Sequence, residues 1–166
     1  KFTVVSSGGQ PQSIVLTSLL EGSRETDNPP QTSVTVELRQ SVAPYSVVDT
    51  KTILQNESGL GTAVFNNVDA SKSYYVVVRY ENGMETWSAQ PQFFLNGQMN
   101  YDFTTAQTQA YGGNMVNVNG KWCIISGDID QDGKINAMDR GICWNDRGTN
   151  DVYSDLNKDG VVNELD

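Results

Sequence analysis

Histidine is absent from the 166-residue chain. Its absence removes every Ser-His and Cys-His nucleophile pair, every His-ligated zinc site and the commonest general base. Cysteine is scarce: Cys123 and Cys143 are the only two, and no Cys-x-x-Cys pair occurs. Two cysteines can close one disulfide but fall short of a zinc site, so a disulfide between them is the favoured expectation over two free thiols. Basic residues are few, 11 against 20 acidic ones, which leaves a formal net charge of −9. A chain this acidic has no general means of neutralising phosphate backbones, so nucleic-acid binding is disfavoured. No run of 18 apolar residues occurs, and no membrane-spanning helix is expected. The sequence opens at Lys1 without an initiator Met or a signal peptide, and is expected to be a mature product or a fragment.

What is present falls into two regions of different pattern. Up to about residue 105 the chain is written in β-strand periodicity. Val34, Val36 and Leu38 alternate with Thr35, Glu37 and Arg39, the period of a half-buried strand. Similar stretches cover 13–20, 47–54, 61–66, 74–80, 92–95 and 99–104. Breakers separate them: Asp27-Asn28-Pro29-Pro30, Asn56-Glu57-Ser58-Gly59, residues 69–73 and Glu81-Asn82-Gly83. Asn82-Gly83 predicts a two-residue hairpin turn, because both residues tolerate positive φ. Seven to nine short strands at this spacing read as a β-sandwich. The expected organisation is an N-terminal arm and linker over 1–12, a sandwich over 13–119 and a small module over 120–166.

Trp87 and the pairs Tyr74-Tyr75 and Phe93-Phe94 invite a sugar-platform reading, but aromatics are the default filling of sandwiches. One member of each pair is therefore expected to face the core and the other to cover a sheet face. Asn56-Glu57-Ser58 matches a glycosylation sequon that is short enough to be only a turn. Residues 1–5, Lys1-Phe2-Thr3-Val4-Val5, are β-prone and precede a linker-like Ser6-Ser7-Gly8-Gly9 stretch. They read either as an ordinary first strand or as an arm that adds to the sheet edge of another molecule.

The C-terminal region carries the chemistry. Asp128, Asp130, Asp132, Asn136 and Asp139 occupy positions 1, 3, 5, 9 and 12 of a twelve-residue loop with Gly133 at position 6. Asp155, Asn157, Asp159, Asn163 and Asp166 repeat the register 27 residues later, with Gly160 at position 6. Ca²⁺ takes six to eight hard oxygen ligands, so alternate residues of a tightly wound loop must turn inward. Position 7, Lys134 and Val161, needs to offer only its backbone carbonyl. Position 8, Ile135 and Val162, is β-prone and is expected to pair the two loops back to back. Four ligand carboxylates in the first loop against three in the second predict tighter binding at the first. Residues 120–166 hold ten acids and five bases, a local charge that two Ca²⁺ would nearly cancel.

These paired loops resemble the duplicated calcium-binding repeat of the dockerin family. The resemblance is carried by Gly127 through Asn136 and by Asp155 through Asn163, by Asp at position 12, and by the strand-like Trp122-Cys123-Ile124-Ile125 leading into the first loop. It implies a loop–helix module with two Ca²⁺ sites, and an immunoglobulin-like sandwich before it, as in secreted bacterial surface proteins. It also implies an extracellular, calcium-replete setting and a Cys123–Cys143 disulfide tying the first loop's strand to its exiting helix. Two departures stand out. Ala137-Met138 and Glu164-Leu165 replace the Ser-Thr-like pairs of dockerins that grip cohesin partners. Asp166, with no helix behind it, is expected to be poorly held unless a neighbouring molecule completes the loop.

The expectation from all this is a non-catalytic, extracellular, calcium-binding structural protein, a self-associating subunit of a surface or filamentous assembly. Copies would join head-to-tail by strand addition through residues 1–5. The alternatives are an anchoring module docking a secreted protein to a surface scaffold, and a carbohydrate-binding module. An enzyme is not expected, because no pair of carboxylates outside the loops declares itself as a catalytic couple.

Overall fold

The computed structural model describes residues 10–24 and 31–166. The N-terminal arm and the Asp27–Pro30 breaker lie outside the described residues. The chain is mainly β. In order it forms β1 (Gln12–Thr17), β2 (Thr32–Gln40), β3 (Val47–Gln55), β4 (Leu60–Phe65), β5 (Ser73–Arg79), β6 (Thr86–Trp87), β7 (Gln92–Phe93), β8 (Gln98–Asp102), β9 (Val116–Val118), β10 (Lys121–Cys123) and α1 (Ala137–Asn145). No described helix is long and apolar enough to cross a membrane.

One sheet has the order β4-β1-β8, with β1 antiparallel to β4 and parallel to β8. The other runs β3-β2-β5-β6, and β7 pairs with the remaining length of β5. A short hairpin joins β9 to β10. The alternation read from β2 has its physical counterpart here. Val34, Val36 and Leu38 are buried and meet Ile14 and Leu16 of β1 and Phe65 of β4 in one core contributed by both sheets. Burying a Leu, Ile or Phe side chain of this kind contributes about 1.5–3 kcal/mol. On the opposite face Glu37 is also buried, because Arg39 and Arg79 close over its carboxylate. At one end of the core Ser18, Gln55 and Tyr80 close a buried ring of side-chain hydrogen bonds: the Tyr80 hydroxyl donates to Gln55 Oε1 at 2.6 Å and Gln55 Nε2 donates to Ser18 Oγ at 3.0 Å. Burial pushes the Tyr80 hydroxyl's pKa upward, so it stays protonated and able to donate.

Asn82 and Gly83 do not make the expected two-residue turn. β5 and β6 pair as a hairpin, but the connection is longer, and neither residue has positive φ. Their backbone is instead committed to the C-terminal region. Gly127 N–H donates to the Asn82 carbonyl at 2.7 Å, Gly83 bridges Ser126, and Asn82 Nδ2 donates to the Asp155 carbonyl at 3.0 Å. Residues 121–126 likewise belong with the strands. Ile124 bridges Leu20 in parallel and lies in the shared core.

Candidate metal centre

The two loops, 128–139 and 155–166, repeat one another in backbone conformation. Position 4 is left-handed in both, Gln131 at φ 59° and Lys158 at φ 61°, and so is position 6, Gly133 at 83° and Gly160 at 94°. Side-chain oxygens then take up backbone amides in the same order. Asp128 Oδ2 accepts from Gly133 N–H at 3.2 Å, as Asp155 Oδ2 does from Gly160 at 2.9 Å. Asp130 Oδ1 accepts from Asp132 N–H at 3.1 Å, and Asn157 Oδ1 from Asp159 N–H at 2.9 Å. Asp132 and Asp159 accept from the position-7 amides of Lys134 and Val161, at 2.8 and 2.9 Å. Each bond fixes a short polar side chain against its own loop backbone while leaving oxygen capacity free; in loop one Asp128 and Asp130 join Asp139 in a cluster, whereas Asp132 is exposed and stays outside it.

Position 12 locks both loops shut. Asp139 Oδ1 accepts from Ile129 at 2.8 Å and Asp130 at 3.3 Å, and its Oδ2 accepts from Asn136 at 2.8 Å. Burial pushes this carboxyl's pKa up, but the amides of Asn136, Asp130, Ile129 and Asp139 itself outweigh it and the net shift is downward. Asn136 and Asp139 together form the capping box of α1, so two loop residues also start the helix that follows. Asp166, expected to be loosely held, has the same arrangement: Oδ1 accepts from Leu156 at 2.9 Å and Asn157 at 3.2 Å, and Oδ2 from Asn163 at 2.8 Å. The amides of its own loop hold it, with no neighbouring molecule required.

The loops differ in their centres. Oxygens of Asp128, Asp130 and Asp139 all lie within 4.8 Å of one another. Asp128 is 2% exposed, and its Oδ1 is buried without any hydrogen-bond donor. Burial raises the Asp128 pKa most, and the Asp139, Asp130 and Asp132 charges add to the rise against the Gly133 amide. A buried, donorless carboxylate oxygen among like charges is the arrangement that a bound cation relieves. In loop two the amides of Asn157 and Asn163 turn Nδ2 toward Asp159 Oδ2, at 3.3 and 3.5 Å, and Asn163 Nδ2 also donates to the Val161 carbonyl at 3.0 Å. Both Nδ2 groups meet Asp159 Oδ2, but among the described residues Asp155, Asp159 and Asp166 form no carboxylate cluster like that of loop one, and the amides must turn their oxygens inward before a cation is accommodated there.

Two local expectations are corrected. Ile135 and Val162 do not pair back to back. Val162 exchanges backbone hydrogen bonds with Gly148 and Thr149, while Ile135 stays half exposed against Gly127. The segment after α1 thus takes the pairing partner that the first loop was expected to supply. Cys123 and Cys143 are not joined, and both are free thiols. Cys123 is buried on β10, whereas Cys143 on α1 faces the turn before loop two, with its Sγ 3.8 Å from the Ser154 carbonyl. Burial pushes the Cys123 thiol's pKa up to about 11 and raises that of Cys143 as well.

Elsewhere the aromatic pairs divide as expected, with Tyr74 and Phe94 buried, Tyr75 half-buried and Phe93 exposed. Trp87 covers the outer sheet face, where Tyr45 and Tyr75 meet its ring edge-on and the Arg39 guanidinium lies 4.8 Å above it. Asn56 accepts from the Ser58 and Leu60 amides, each at 3.0 Å, which makes its sequon a turn element. Searches against known protein families and against curated proteins find no match for the chain.

Proposed function

We propose that this chain is a non-catalytic, calcium-binding structural unit of an extracellular surface or filamentous assembly. In this reading an immunoglobulin-like sandwich is stiffened at one end by a dockerin-like pair of Ca²⁺ loops. The observation that carries it is the donorless, buried Asp128 Oδ1 beside Asp130 and Asp139, in a loop whose twelve-residue register is repeated once. Asp128, Asp130, Asp132 and Asp139 with the Asn136 side chain and the Lys134 carbonyl would hold one Ca²⁺. Asp155, Asn157, Asp159, Asn163 and Asp166 with the Val161 carbonyl would hold the other. Bound Ca²⁺ supplies charge neutralisation and no bond chemistry, so its binding free energy becomes stability of the loops.

Self-association is the partner expected in such an assembly. A second reading, docking to a separate scaffold, is favoured by large apolar side chains exposed on the loop module: Met138, Trp144 and Leu165 are 66%, 65% and 70% exposed. Titration calorimetry with Ca²⁺, followed by light scattering in millimolar Ca²⁺ and in excess chelator, tests the proposal. Two Ca²⁺ per chain and calcium-dependent assembly are the expected results. Two Ca²⁺ with a monodisperse particle in both conditions would favour docking, and no heat of binding would end the calcium reading.

A further inference from the structure

The outer face of the β3-β2-β5-β6 sheet ends in a cleft of about 540 Å³ against the loop module. Its floor is the sheet, with Thr35 beside Thr52 on one side and Arg79 on the other, and its far wall is Gln131 and Tyr153. Tyr153 is 47% exposed. From the floor a file of polar and aromatic groups continues along the same face. Glu37 and Glu85 are bridged by Arg39 and Arg79, and Arg39 lies over Trp87. From Thr35 to Arg39 is about 13 Å along the strand, enough for a short oligomer to lie between cleft and aromatics.

The charges on this surface are already spent on one another. Each of the two arginines contacts both glutamates, and Glu81 at the cleft rim pairs with Lys158 at 3.6 Å. A phosphate or a free cation would find no unmatched charge to bind. What remains on offer is the Thr35 and Thr52 hydroxyls, the Gln131 amide oxygen, planar charged groups with spare hydrogen-bonding capacity, and the half-exposed Tyr153 ring. Arg79 Nε is enclosed, but the rest of its side chain is 40% exposed at the cleft. That combination suits a neutral ligand with many hydroxyls and an apolar ring face.

The geometry points to a binding site for neutral oligosaccharide, built jointly by the sheet and the calcium loops. Gln131 is the left-handed fourth residue of loop one, and Tyr153 stands two residues before loop two begins. The far wall therefore depends on the shape of both loops, and glycan affinity depends on calcium. That dependence rests on the loop reading given above.

Affinity electrophoresis of the full chain through gels containing xylan, mixed-linkage β-glucan, mannan or starch, in Ca²⁺ and in chelator, tests the site. The expected result is retardation by at least one polysaccharide, weakened in chelator. Tyr153→Ala should weaken it by about tenfold or more, as loss of a ring contact with a ligand does. Thr52→Arg, which crowds the floor from an exposed position on β3, should do the same. No retardation by any polysaccharide overturns the site. Retardation indifferent to both variants places the ligand elsewhere and overturns the cleft assignment. Retardation that responds to both variants but ignores the chelator overturns the coupling. A Ca²⁺ calorimetric titration of the same sample shows separately whether the loop reading stands.

Discussion

At Asp128 one carboxylate oxygen accepts the Gly133 amide while the other is buried with no donor. Replacing the group by alanine removes both the ligand proposed at loop position 1 and the bond to the Gly133 amide. Asp128→Ala is therefore expected to lower calcium affinity at the first site by about 100-fold or more and to leave the second titratable by calorimetry. An unchanged two-site isotherm would refute the assignment. Gly133 is needed for its backbone. At φ 83° a side chain is strained although nothing lies within 4 Å of the added Cβ. Gly133→Ala should cost about 1–2 kcal/mol of module stability through that strain alone, measurable as a reduced melting midpoint in saturating Ca²⁺. Open space around the Cβ makes this substitution a test of backbone conformation separate from packing.

The element that joins the two regions is a clasp. Residues 20–24 and 80–84 grip the start of each loop: Gly22 N–H donates to Ser126 Oγ at 2.9 Å, and Asn82 holds Gly127 and Asp155. A Cβ on Gly22 would overlap the Leu156 carbonyl, so Gly22→Ala should displace loop two from the sheet end. The two thiols read this out. With no disulfide between them, Cys143 on α1 should alkylate sooner in Gly22→Ala or in chelator, while buried Cys123, with its raised pKa, stays protected until the sheets unfold. Simultaneous labelling of both would mean that loops and sheets open as one unit. The strands were legible in advance because Val34, Val36 and Leu38 declare their face by local alternation, and the repeated loop conformation because its candidate oxygen side chains all fall within twelve residues. The clasp was not legible. Asn82-Gly83 carries the local signature of a turn, and its actual commitment to Gly127 and Asp155 is a long-range contact that no local pattern encodes. The cysteine bridge, implied by the resemblance, fails in the same way: Cys123 is buried on β10 and Cys143 is part-exposed on α1, and the two are not joined.

For the whole molecule, calcium taken up as proposed by the folded form alone would raise its stability by mass action, about 2.7 kcal/mol per site at a hundredfold excess over Kd. Thermal scans across a calcium series should therefore show a module transition that climbs with concentration, and a transition indifferent to calcium would exclude the coupling. The position of β1 bears on a different property. It lies in the middle of its sheet, with six residue pairs to β4 on one flank and five to β8 on the other. A tensile load applied at Gln12 along the strand acts on both ladders together, in shear. The hydrogen bonds must then fail nearly at once, whereas a strand peeled from an edge releases them one by one. Resistance to such a pull is set by the unfolding barrier and not by the equilibrium stability. A chain arranged this way can carry force through β1 even where its thermodynamic margin is modest.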